Sequence, residues 1–426
     1  MSRMLASAAL LTSLLLLPAA LNAARKALPN EWPQWRGPNR DGISPETGLL
    51  ETWPEKGPPL VWKAKGLGRG FSSVAVSDGK IYTLGAEGGQ ERLTAVDAAK
   101  GDLLWSTSIG GGDHSNGTPA IDGDRVYAIG LKGDLVCAKT ADGAIVWKKN
   151  FANDFGGKMM SGWGFSESPL VDGNRLICTP GGNDAVMVAL DKLTGETIWK
   201  AAMPTESGRR GKDGAGYSSI VISHGAGIKQ YVQLVGRGVI GVRADDGKLL
   251  WSYNRVANGT ANIPTPIVKD DYVFCSSGYG TGAALLKLVK NGDGVQAEEE
   301  YFLEAKVMQN HHGGMILLDD YIYCGHGHNQ GFPLCIHMPT GKVAWQPGRG
   351  PGQQSAAVAY ADGNLYFRYQ NGVMALIEAT PDEYRLKSTF ELPDAGPPSW
   401  PHPVIAEGRL YLRDQDALLA YDIQKH

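Results

Sequence analysis

The sequence predicts an all-β protein, an eight-bladed β-propeller built from four-stranded antiparallel blades. Two observations carry this prediction. The first is a Gly-x-x-x-Trp motif, which recurs at Gly101–Trp105, Gly143–Trp147, Gly195–Trp199, Gly247–Trp251 and Gly341–Trp345. The second is the period: with Trp62, Tyr301-Phe302 and Phe390 as further outer-strand positions, eight sites follow one another 42 to 52 residues apart. Four short strands in a repeat of this length are typical of a propeller blade.

The stretch from Thr118 to Trp147 shows what one repeat contains. Apolar residues alternate in three short runs that end at Ile121, Ile129 and Cys137, which is the pattern of strands with one buried face. An Asp-Gly turn then leads into a fourth, outer strand that ends at the tryptophan. A single meander of this size cannot bury its faces, so it needs copies of itself on both sides.

A ten-residue block also aligns between repeats without gaps. It reads SVAVSDGKIY up to Tyr82, TPAIDGDRVY up to Tyr127, TPIVKDDYVF up to Phe274 and GMILLDDYIY up to Tyr323. A pair of β-sandwiches is the competing interpretation, but sandwiches do not repeat a turn-to-tryptophan spacing of four residues so regularly. The aligned blocks therefore favour the propeller.

Residues 1–23 are predicted to be a signal peptide rather than part of the fold. Arg3 precedes an apolar run from Leu5 to Leu17 that is too short for a comfortable membrane span, and small residues follow it. The chain is therefore expected to be exported, to the periplasm or the extracellular space, without a transmembrane segment. Its net charge of −3 predicts neither nucleic-acid nor anionic-membrane binding. We expect a monomer.

Residues 24–59 are predicted to be an N-terminal strap laid over a propeller that occupies residues 60–426. The strap is rich in Pro, Gly and Trp and lacks periodicity, so Trp32, Trp35 and Trp53 are expected to be packing anchors. A ligand-gripping role is the alternative. Leu60-Val61-Trp62 is then an outer strand without inner strands, and the last repeat, 402–422, has three strands without an outer one. Joined, they complete the eighth blade and close the ring.

Five cysteines, Cys137, Cys178, Cys275, Cys324 and Cys335, include no Cys-x-x-Cys pair. Three of them occupy the same position in their repeats, directly after the residue that ends the aligned block. Buried thiols between blades are therefore the first interpretation. A disulfide between Cys324 and Cys335, within one blade, is the alternative.

Polar and aromatic residues cluster at one predicted mouth of the channel. In this repeat order the segments before each inner strand and the loops after each second strand converge there. The long connection from Phe151 to Phe165, which carries Met159-Met160 and Trp163, is expected to pack at the same place. Candidate ligand-binding residues at this mouth are Arg69, Asn116, Trp163, Glu167, Tyr217, Asn262, Gln354, Trp400 and His402. The competing interpretation is an ordinary hydrated channel mouth.

Four of the nine histidines fall in two short segments, NHHGG from Asn310 and GHGHNQ from Gly325. Adjacent strands lie ~5 Å apart, which would bring His312 near His326. In extended backbone His326 and His328 share one side, so His312, His326 and His328 could converge. Three neutral imidazoles with an open position suit Zn²⁺ or Cu²⁺. The alternative is that these histidines contact a polar ligand.

The repeat pattern resembles the pyrroloquinoline quinone (PQQ)-type propeller repeat. The resemblance is carried best by Ser168-Pro-Leu-Val-Asp-Gly173 and by Val188-Ala-Leu-Asp-Lys-Leu-Thr-Gly195, ending at Trp199, and it covers essentially all of residues 60–426. The family it implies includes quinoprotein alcohol dehydrogenases, a periplasmic propeller of the outer-membrane assembly machinery, and other exported propellers, which WPQWRGPNRDG resembles most. These motifs specify the fold strongly and the function weakly, because they dock blades to one another.

The resemblance leaves two classes of function. The dehydrogenases hold Ca²⁺ against PQQ with Glu and Asn, use an Asp as base, place a Trp below the ring, and carry two adjacent Cys above it. Glu167, Asn262 and Trp400 match three of these residue types, but no adjacent Cys pair exists. We therefore expect a propeller that binds a ligand or a protein at its mouth. A divergent PQQ-dependent dehydrogenase or metal-site enzyme is the alternative.

Overall fold

The computed structural model describes residues 30–205, 208–396 and 398–426. The predicted signal peptide, residues 1–23, lies outside them. Eight four-stranded antiparallel sheets form the blades of a β-propeller. The fold class that the repeat period predicts is therefore confirmed.

The first four complete blades each use four consecutive strands, from the channel outwards. They are β2 (Ala75–Ser77), β3 (Lys80–Glu87), β4 (Gln90–Asp97) and β5 (Leu103–Gly111); β6 (Ala120–Asp122), β7 (Arg125–Ile129), β8 (Asp134–Lys139) and β9 (Ile145–Asn150); β10 (Leu170–Asp172), β11 (Arg175–Cys178), β12 (Met187–Asp191) and β13 (Thr197–Ala201); β14 (Val221–Ser223), β15 (Gln230–Val235), β16 (Gly238–Arg243) and β17 (Leu249–Tyr253).

The next three blades follow the same order. They are β18 (Ile267–Lys269), β19 (Tyr272–Ser277), β20 (Gly282–Asn291) and β21 (Gly294–Glu304); β22 (Met315–Leu318), β23 (Tyr321–His326), β24 (Phe332–His337) and β25 (Lys342–Trp345); β26 (Ala356–Ala361), β27 (Asn364–Tyr369), β28 (Val373–Glu378) and β29 (Leu386–Glu391). A short helix, α1 (Phe151–Phe155), follows β9, and a 3₁₀ turn spans Gly225–Gly227.

The eighth blade joins the two ends of the chain. Its inner strands are β30 (Val404–Ala406), β31 (Arg409–Asp414) and β32 (Ala417–Asp422), and its outer strand is β1 (Leu60–Ala64). β1 pairs with β32 in antiparallel register, with Trp62 opposite Ala420. The predicted ring closure by an N-terminal outer strand is therefore confirmed, and it covers an edge that would otherwise be unpaired.

From the eighth blade round to the fourth, a tryptophan of one blade packs on the Gly-x-x-x-Trp glycine of the next. The indole Nε1 of Trp105 donates to the Thr140 carbonyl of the following blade at 3.1 Å. The glycine of that blade, Gly143, has φ 73°, and a Cβ there would lie 2.5 Å from the Trp105 ring. Trp147 and Gly195 repeat the arrangement. The motif therefore needs glycine twice over, for its left-handed turn and for the tryptophan packed on it.

All five cysteines are free and buried. The prediction of buried thiols is confirmed, and the alternative disulfide between Cys324 and Cys335 is not present. Across the described residues, no helix combines the length and apolar character needed to cross a membrane.

The strap does more than cover the propeller, because its first part lies across the hollow of the ring. It pairs with the first blade through Trp32 and Val76, and it later donates from Ser44 N to the Tyr360 carbonyl of the seventh blade, 2.8 Å away. Trp32 and Trp53 are buried, as expected of anchors. Trp35 instead faces the channel, where its indole stands against the ring of His402, 4.5 Å between centroids.

Two buried arginines hold the strap in the hollow. Arg40 donates to the carbonyls of Ser168 and Pro169, just before β10. Arg36 donates through Nη2 to its own segment at the Asp41 carbonyl and to the carbonyl of Met315, the first residue of β22. The strap therefore forms a floor between the two mouths of the channel.

Candidate functional site

A cavity of about 240 Å³ lies above this floor, at the mouth that the inner-strand starts surround. The starts of several blades contribute to its wall, and the strap contributes the bottom through Trp35 and Arg36. Its aromatic lining residues are Trp35, Phe71, Trp163, Tyr217, Tyr279 and Trp400. A concave, mainly apolar cavity with a few polar groups is the usual form of a small-molecule site.

Trp400 is the centre of the aromatic wall. Its ring lies 4.5 Å from Phe71, 5.3 Å from His312 and 6.4 Å from Trp163, measured between centroids. Trp163, at the rim, is 54 % exposed. It is held there because its amide N–H donates to the Tyr217 hydroxyl and its carbonyl accepts from Asn116 Nδ2. The wall therefore offers flat apolar faces that reach from the rim to the interior.

A hydrogen-bonded chain runs behind one side of the wall. His311 contacts Ser355 Oγ through Nδ1 at 2.6 Å and the Tyr279 hydroxyl through Nε2 at 3.1 Å. Ser355 Oγ in turn donates to Asn329 Oδ1. If the serine proton goes to Asn329, His311 Nδ1–H donates to the serine and Nε2 accepts from the tyrosine. This chain holds Tyr279 at the cavity surface.

His311, His312 and His402, which line the cavity, are uncharged at neutral pH. Burial, together with the neighbouring His402 and His328, lowers the pKa of His312 to about 3. Burial and the nearby Arg36 charge lower the pKa of His402, also to about 3. The pKa of His311 falls for the same reason, with His312 and His328 as the charges that oppose its protonation. These imidazoles act as hydrogen-bonding groups rather than as cations.

The orientation of His402 is set by the backbone. Its Nε2 lies 2.9 Å from the carbonyl of His312. A carbonyl can only accept, so Nε2 carries the proton and Nδ1 presents a lone pair. Nδ1 is buried and has no partner. His402 Nδ1 is therefore a hydrogen-bond acceptor without a donor in this site.

Four buried polar atoms of the cavity residues lack hydrogen-bond partners. They are Arg36 Nη1, His312 Nε2, Trp400 Nε1 and His402 Nδ1. Buried polar groups are nearly always paired, and each one left unpaired costs about 1–3 kcal/mol. Sixteen other buried atoms of the described residues also lack partners, so it is the position of these four beside an aromatic cavity, rather than their number, that indicates where a bound molecule would complete the bonding.

The structure brings together several of the residues that the sequence predicts for the mouth. Those on the cavity are Asn116, Trp163, Tyr217, His312, Trp400 and His402. Arg69 and Gln354 are exposed and lie outside the lining. Both residues precede inner strands, as predicted, but they stand in loops beside the opening. The backbone of Arg69 pairs with Ala86, and Gln354 has a positive φ of 63°.

Glu167 lies beneath the cavity and is 2 % exposed. Its carboxylate accepts from Thr179 N and Thr179 Oγ1, each at 2.7 Å, and from Gln233 Nε2 at 3.2 Å. Burial raises its pKa to about 7, although these hydrogen bonds and the nearby Arg40 charge oppose the rise. It therefore serves as an internal hydrogen-bonding centre between the third and fourth blades.

Asn262 is likewise turned inward. Its Nδ2 donates to the carbonyls of Val235 and Gly236, and its Oδ1 accepts from the amide of Asn258. The side-chain polar atoms of Glu167 and Asn262 are hydrogen-bonded to other groups of the protein. The two residues therefore do not fit the calcium-ligand roles that the resemblance implies. No step through a quinone or a calcium ion is derived for this chain.

The predicted metal trio does not assemble. His328, rather than pointing along the strand with His326, packs on His311 at 4.3 Å between centroids. The strand ends at His326, and Gly327 and His328 have φ of 84° and 53°, so the alternation of extended backbone no longer applies. His326 Nδ1 accepts from the Gln309 amide. Within the described ranges, no group of three or more His, Cys, Asp or Glu could hold a metal ion.

Of the strap residues at the cavity, the sequence names Trp35 as a packing anchor, with ligand gripping by the strap as the alternative, and does not name Arg36. Both stand in an aperiodic segment, and their approach to the cavity depends on the path of that segment through the hollow. His311 and Tyr279 also line the cavity. The repeat order places both at the mouth, but the predicted metal trio contains His312 and not His311.

Comparison with known proteins agrees with the repeat pattern. A family profile, PQQ_2, described as outer membrane protein assembly factor BamB, matches residues 60–129 and 89–347. The outer membrane protein assembly factor BamB of Kangiella koreensis is 26% identical over 231 residues, 50% of this chain and 49% of that protein. The 1-butanol dehydrogenase (quinone) of Thauera butanivorans is 30% identical over 153 residues, 33% of this chain and 24% of that enzyme.

Among solved structures, the quinohemoprotein alcohol dehydrogenase of Comamonas testosteroni superposes with a TM-score of 0.62. The match covers 93% of this chain and 81% of that one at 13% sequence identity, which supports the fold alone. In sequence, the match to this chain spans about half the length of the first relative and about a quarter of the second. What the whole relatives do therefore does not transfer with the alignment.

Proposed function

We propose a binding function for this chain. The chain belongs to the family whose profile, PQQ_2, is described as outer membrane protein assembly factor BamB. The propeller holds a small ligand in the cavity at its channel mouth and carries out no chemistry on it. Relatives of this chain include both assembly factors and quinone-dependent dehydrogenases. The proposal is supported by the cavity rather than by the family.

The observation that carries the proposal is the set of four unpartnered polar atoms around one aromatic cavity. An aromatic wall contributes affinity through apolar contact, and a few buried polar groups select the ligand. The strap closes the bottom, so a ligand enters from one mouth only. Trp163 at the rim is placed to cover it.

The dehydrogenase alternative is less well supported. Glu167 and Asn262, which resemble the calcium ligands of those enzymes, are occupied by internal hydrogen bonds. The five cysteines are buried thiols without an adjacent pair. A binding protein needs neither group.

Export and a monomeric state are part of the same proposal. The signal-like pattern of residues 1–23 supports export, as does kinship with proteins named for outer-membrane assembly. Ring closure pairs β32 with β1, so the eighth blade does not offer β32 as a free edge to a second copy. Amino-terminal sequencing and light scattering of the protein secreted by expressing cells check both points.

The test is to identify what the purified protein carries. The chain is purified without a tag, denatured, and the released small molecules are measured by mass spectrometry. Ser166→Trp, on the cavity wall, should exclude them. Val146→Trp, on an exposed outer strand, serves as a matched control that adds the same side chain elsewhere.

We expect a stoichiometric compound from the wild type and from Val146→Trp, and its loss from Ser166→Trp. A compound that appears equally with all three proteins would disprove binding at this cavity. Dye-linked oxidation of alcohols by the protein supplied with PQQ and Ca²⁺ would instead establish the dehydrogenase alternative.

A further inference from the structure

Arg36 carries a buried charge whose hydrogen bonding is incomplete. The side chain is 5% exposed, and its Nη2 is used by the carbonyls of Asp41 and Met315. Its Nη1 has no partner. Carbonyl oxygens satisfy donors but do not neutralise a cation, and a buried cation is normally matched by an anion.

The second strap arginine, Arg40, also keeps one unpartnered nitrogen, but this is Nε rather than a terminal nitrogen, and Arg40 does not line the cavity. Arg40 donates through both terminal nitrogens, to Gln34 and to the carbonyls of Ser168 and Pro169. The carboxyl of Glu167 is close enough to raise its pKa. Arg40 thus has an acidic neighbour inside the protein. Arg36 also has an acidic neighbour, Asp41, whose charge opposes the lowering of the Arg36 pKa by burial, while its Oδ1 accepts from the amide of Ile43.

Arg36 Nη1 and His402 meet over a bare glycine. A Cβ on Gly314 would lie 1.8 Å from Arg36 Nη1 and 2.9 Å from Cε1 of His402. The φ of Gly314 is +72°, which also favours glycine. Glycine therefore lets the guanidinium and the imidazole approach one another beside the cavity, which all three residues line.

Arg36 and His402 would bind partners of opposite hydrogen-bonding character. Arg36 Nη1 is a cationic donor, whereas His402 Nδ1 is a neutral acceptor because Nε2 donates to the His312 carbonyl. Trp400 Nε1 adds a second unpartnered donor. A carboxylate paired with a hydroxyl on the adjacent carbon supplies an anion for the first and a proton for the second.

We propose that the cavity selects an aromatic or cyclic hydroxycarboxylate, whose carboxylate binds Arg36 and whose hydroxyl donates to His402. The inference rests on the proposed binding function and specifies the class of ligand. The ring of the ligand packs between Trp35, Phe71 and Trp400, which stand around the same space. No carboxylate side chain lines the cavity within the described part of the chain, so nothing there repels the ligand's charge.

The test compares three probes of nearly equal size. Mandelate has the ring, carboxylate and hydroxyl; phenylacetate lacks the hydroxyl; mandelamide lacks the charge. Binding is measured by isothermal titration calorimetry with the full mature chain. We expect mandelate to bind at least 10-fold more tightly than either analogue, since each analogue leaves a buried polar group unpaired.

Variants then assign the preference to residues. Arg36→Met should reduce the ratio of mandelate to mandelamide affinity to near 1, whereas Arg40→Met, the matched change outside the cavity, should leave the ratio as in the wild type. The wild-type comparison requires no variant, so the test stands even if a strap variant fails to fold.

Equal binding of mandelate and mandelamide, an unchanged ratio in Arg36→Met, or no binding of any probe would overturn the inference. The proposed function has its own readout in the released compound. A neutral compound that Ser166→Trp excludes would refute the hydroxycarboxylate class and leave the binding function in place.

Discussion

Two regions of the channel contain a strap arginine above an inner-strand start, and they differ in how complete their bonding is. In the third blade, Glu167 is bonded to Thr179 and Gln233, and its charge faces Arg40. Arg40 keeps only its Nε unpartnered and lies outside the cavity, whereas Arg36 and His402, across the sixth and eighth blades, each keep an unpartnered atom and line the cavity. Both regions are buried and both contain polar residues that the sequence predicts for a site.

The difference shows that burial of a titratable residue does not identify a ligand site by itself. Glu167 is as strongly perturbed as a catalytic carboxyl, with a pKa of about 7, yet every strong contact it makes is internal. Polar atoms without partners are the better indicator, because folding leaves their bonding for something else to complete.

The largest expected effect comes from removing both strap arginines and the outer strand of the eighth blade together. Deletion of residues 24–62 unpairs β32 and empties the hollow of the ring. Unpaired edges promote association, so the shortened chain should aggregate or lose its cooperative unfolding. Light scattering and calorimetry check this. A monomer that melts at the temperature of the full chain would show that neither region depends on the strap.

The next effect separates the two regions. Glu167→Ala leaves the buried Thr179 amide and Thr179 hydroxyl without their acceptor, so the unfolding free energy should fall by about 3 kcal/mol, while Gln233 Nε2 keeps the Ser218 carbonyl. Denaturant titration measures it. Glu87→Ala, at the exposed end of β3, is the control and should change stability by less than about 0.5 kcal/mol. A loss as small as that of the control would mean that Glu167 is not an internal centre.

The regions should also respond oppositely to acid. The pKa of His402 is about 3 when folded, against 6.5, so the unfolded state binds more protons between these values and stability falls as pH drops through that window. The pKa of Glu167 is about 7, against 4.5, so the folded state binds more protons there and stability rises as pH drops from about 7 to 4.5.

Between pH 6.5 and 4.5, His402→Gln should therefore lose less stability than the wild type, and Glu167→Gln should lose more. The difference can reach about 1.4 kcal/mol per pH unit for one group. Urea titrations at three pH values measure it. Parallel pH profiles for the two variants would contradict the opposite titration of the two regions.

The smallest expected effect on stability comes from comparing two tryptophans, one whose indole N–H is hydrogen-bonded and one whose indole N–H is not. Trp400 Nε1 is unpartnered, whereas Trp199 Nε1 donates to the Ala244 carbonyl at 3.1 Å. Trp400→Phe should cost about 1 kcal/mol or less, because only packing is lost, and Trp199→Phe should cost about 1 kcal/mol more. Thermal unfolding distinguishes them. A larger loss at Trp400 would indicate a hydrogen bond that this structure does not contain.

The sequence alone determined the architecture. Trp62, Trp105, Trp147 and Trp199 each pack over a glycine of the next blade, and Tyr301 does so at Gly341, so the repeated spacing reveals the number of blades and their order. The closure between β1 and β32 follows from the same count, since one repeat lacks an outer strand and one outer strand lacks a repeat.

Only the tertiary structure decided which polar residues face the cavity. Inner-strand starts share a place in the repeat, but Glu167 turns into the protein while His312 and Trp400 line the opening. His328 leaves the predicted side because its φ is positive, and Arg36 reaches the cavity because the strap crosses the hollow. A repeated motif predicts the contacts between neighbouring blades. The channel is lined by segments far apart in the sequence, and a periodic pattern does not predict the contacts among them.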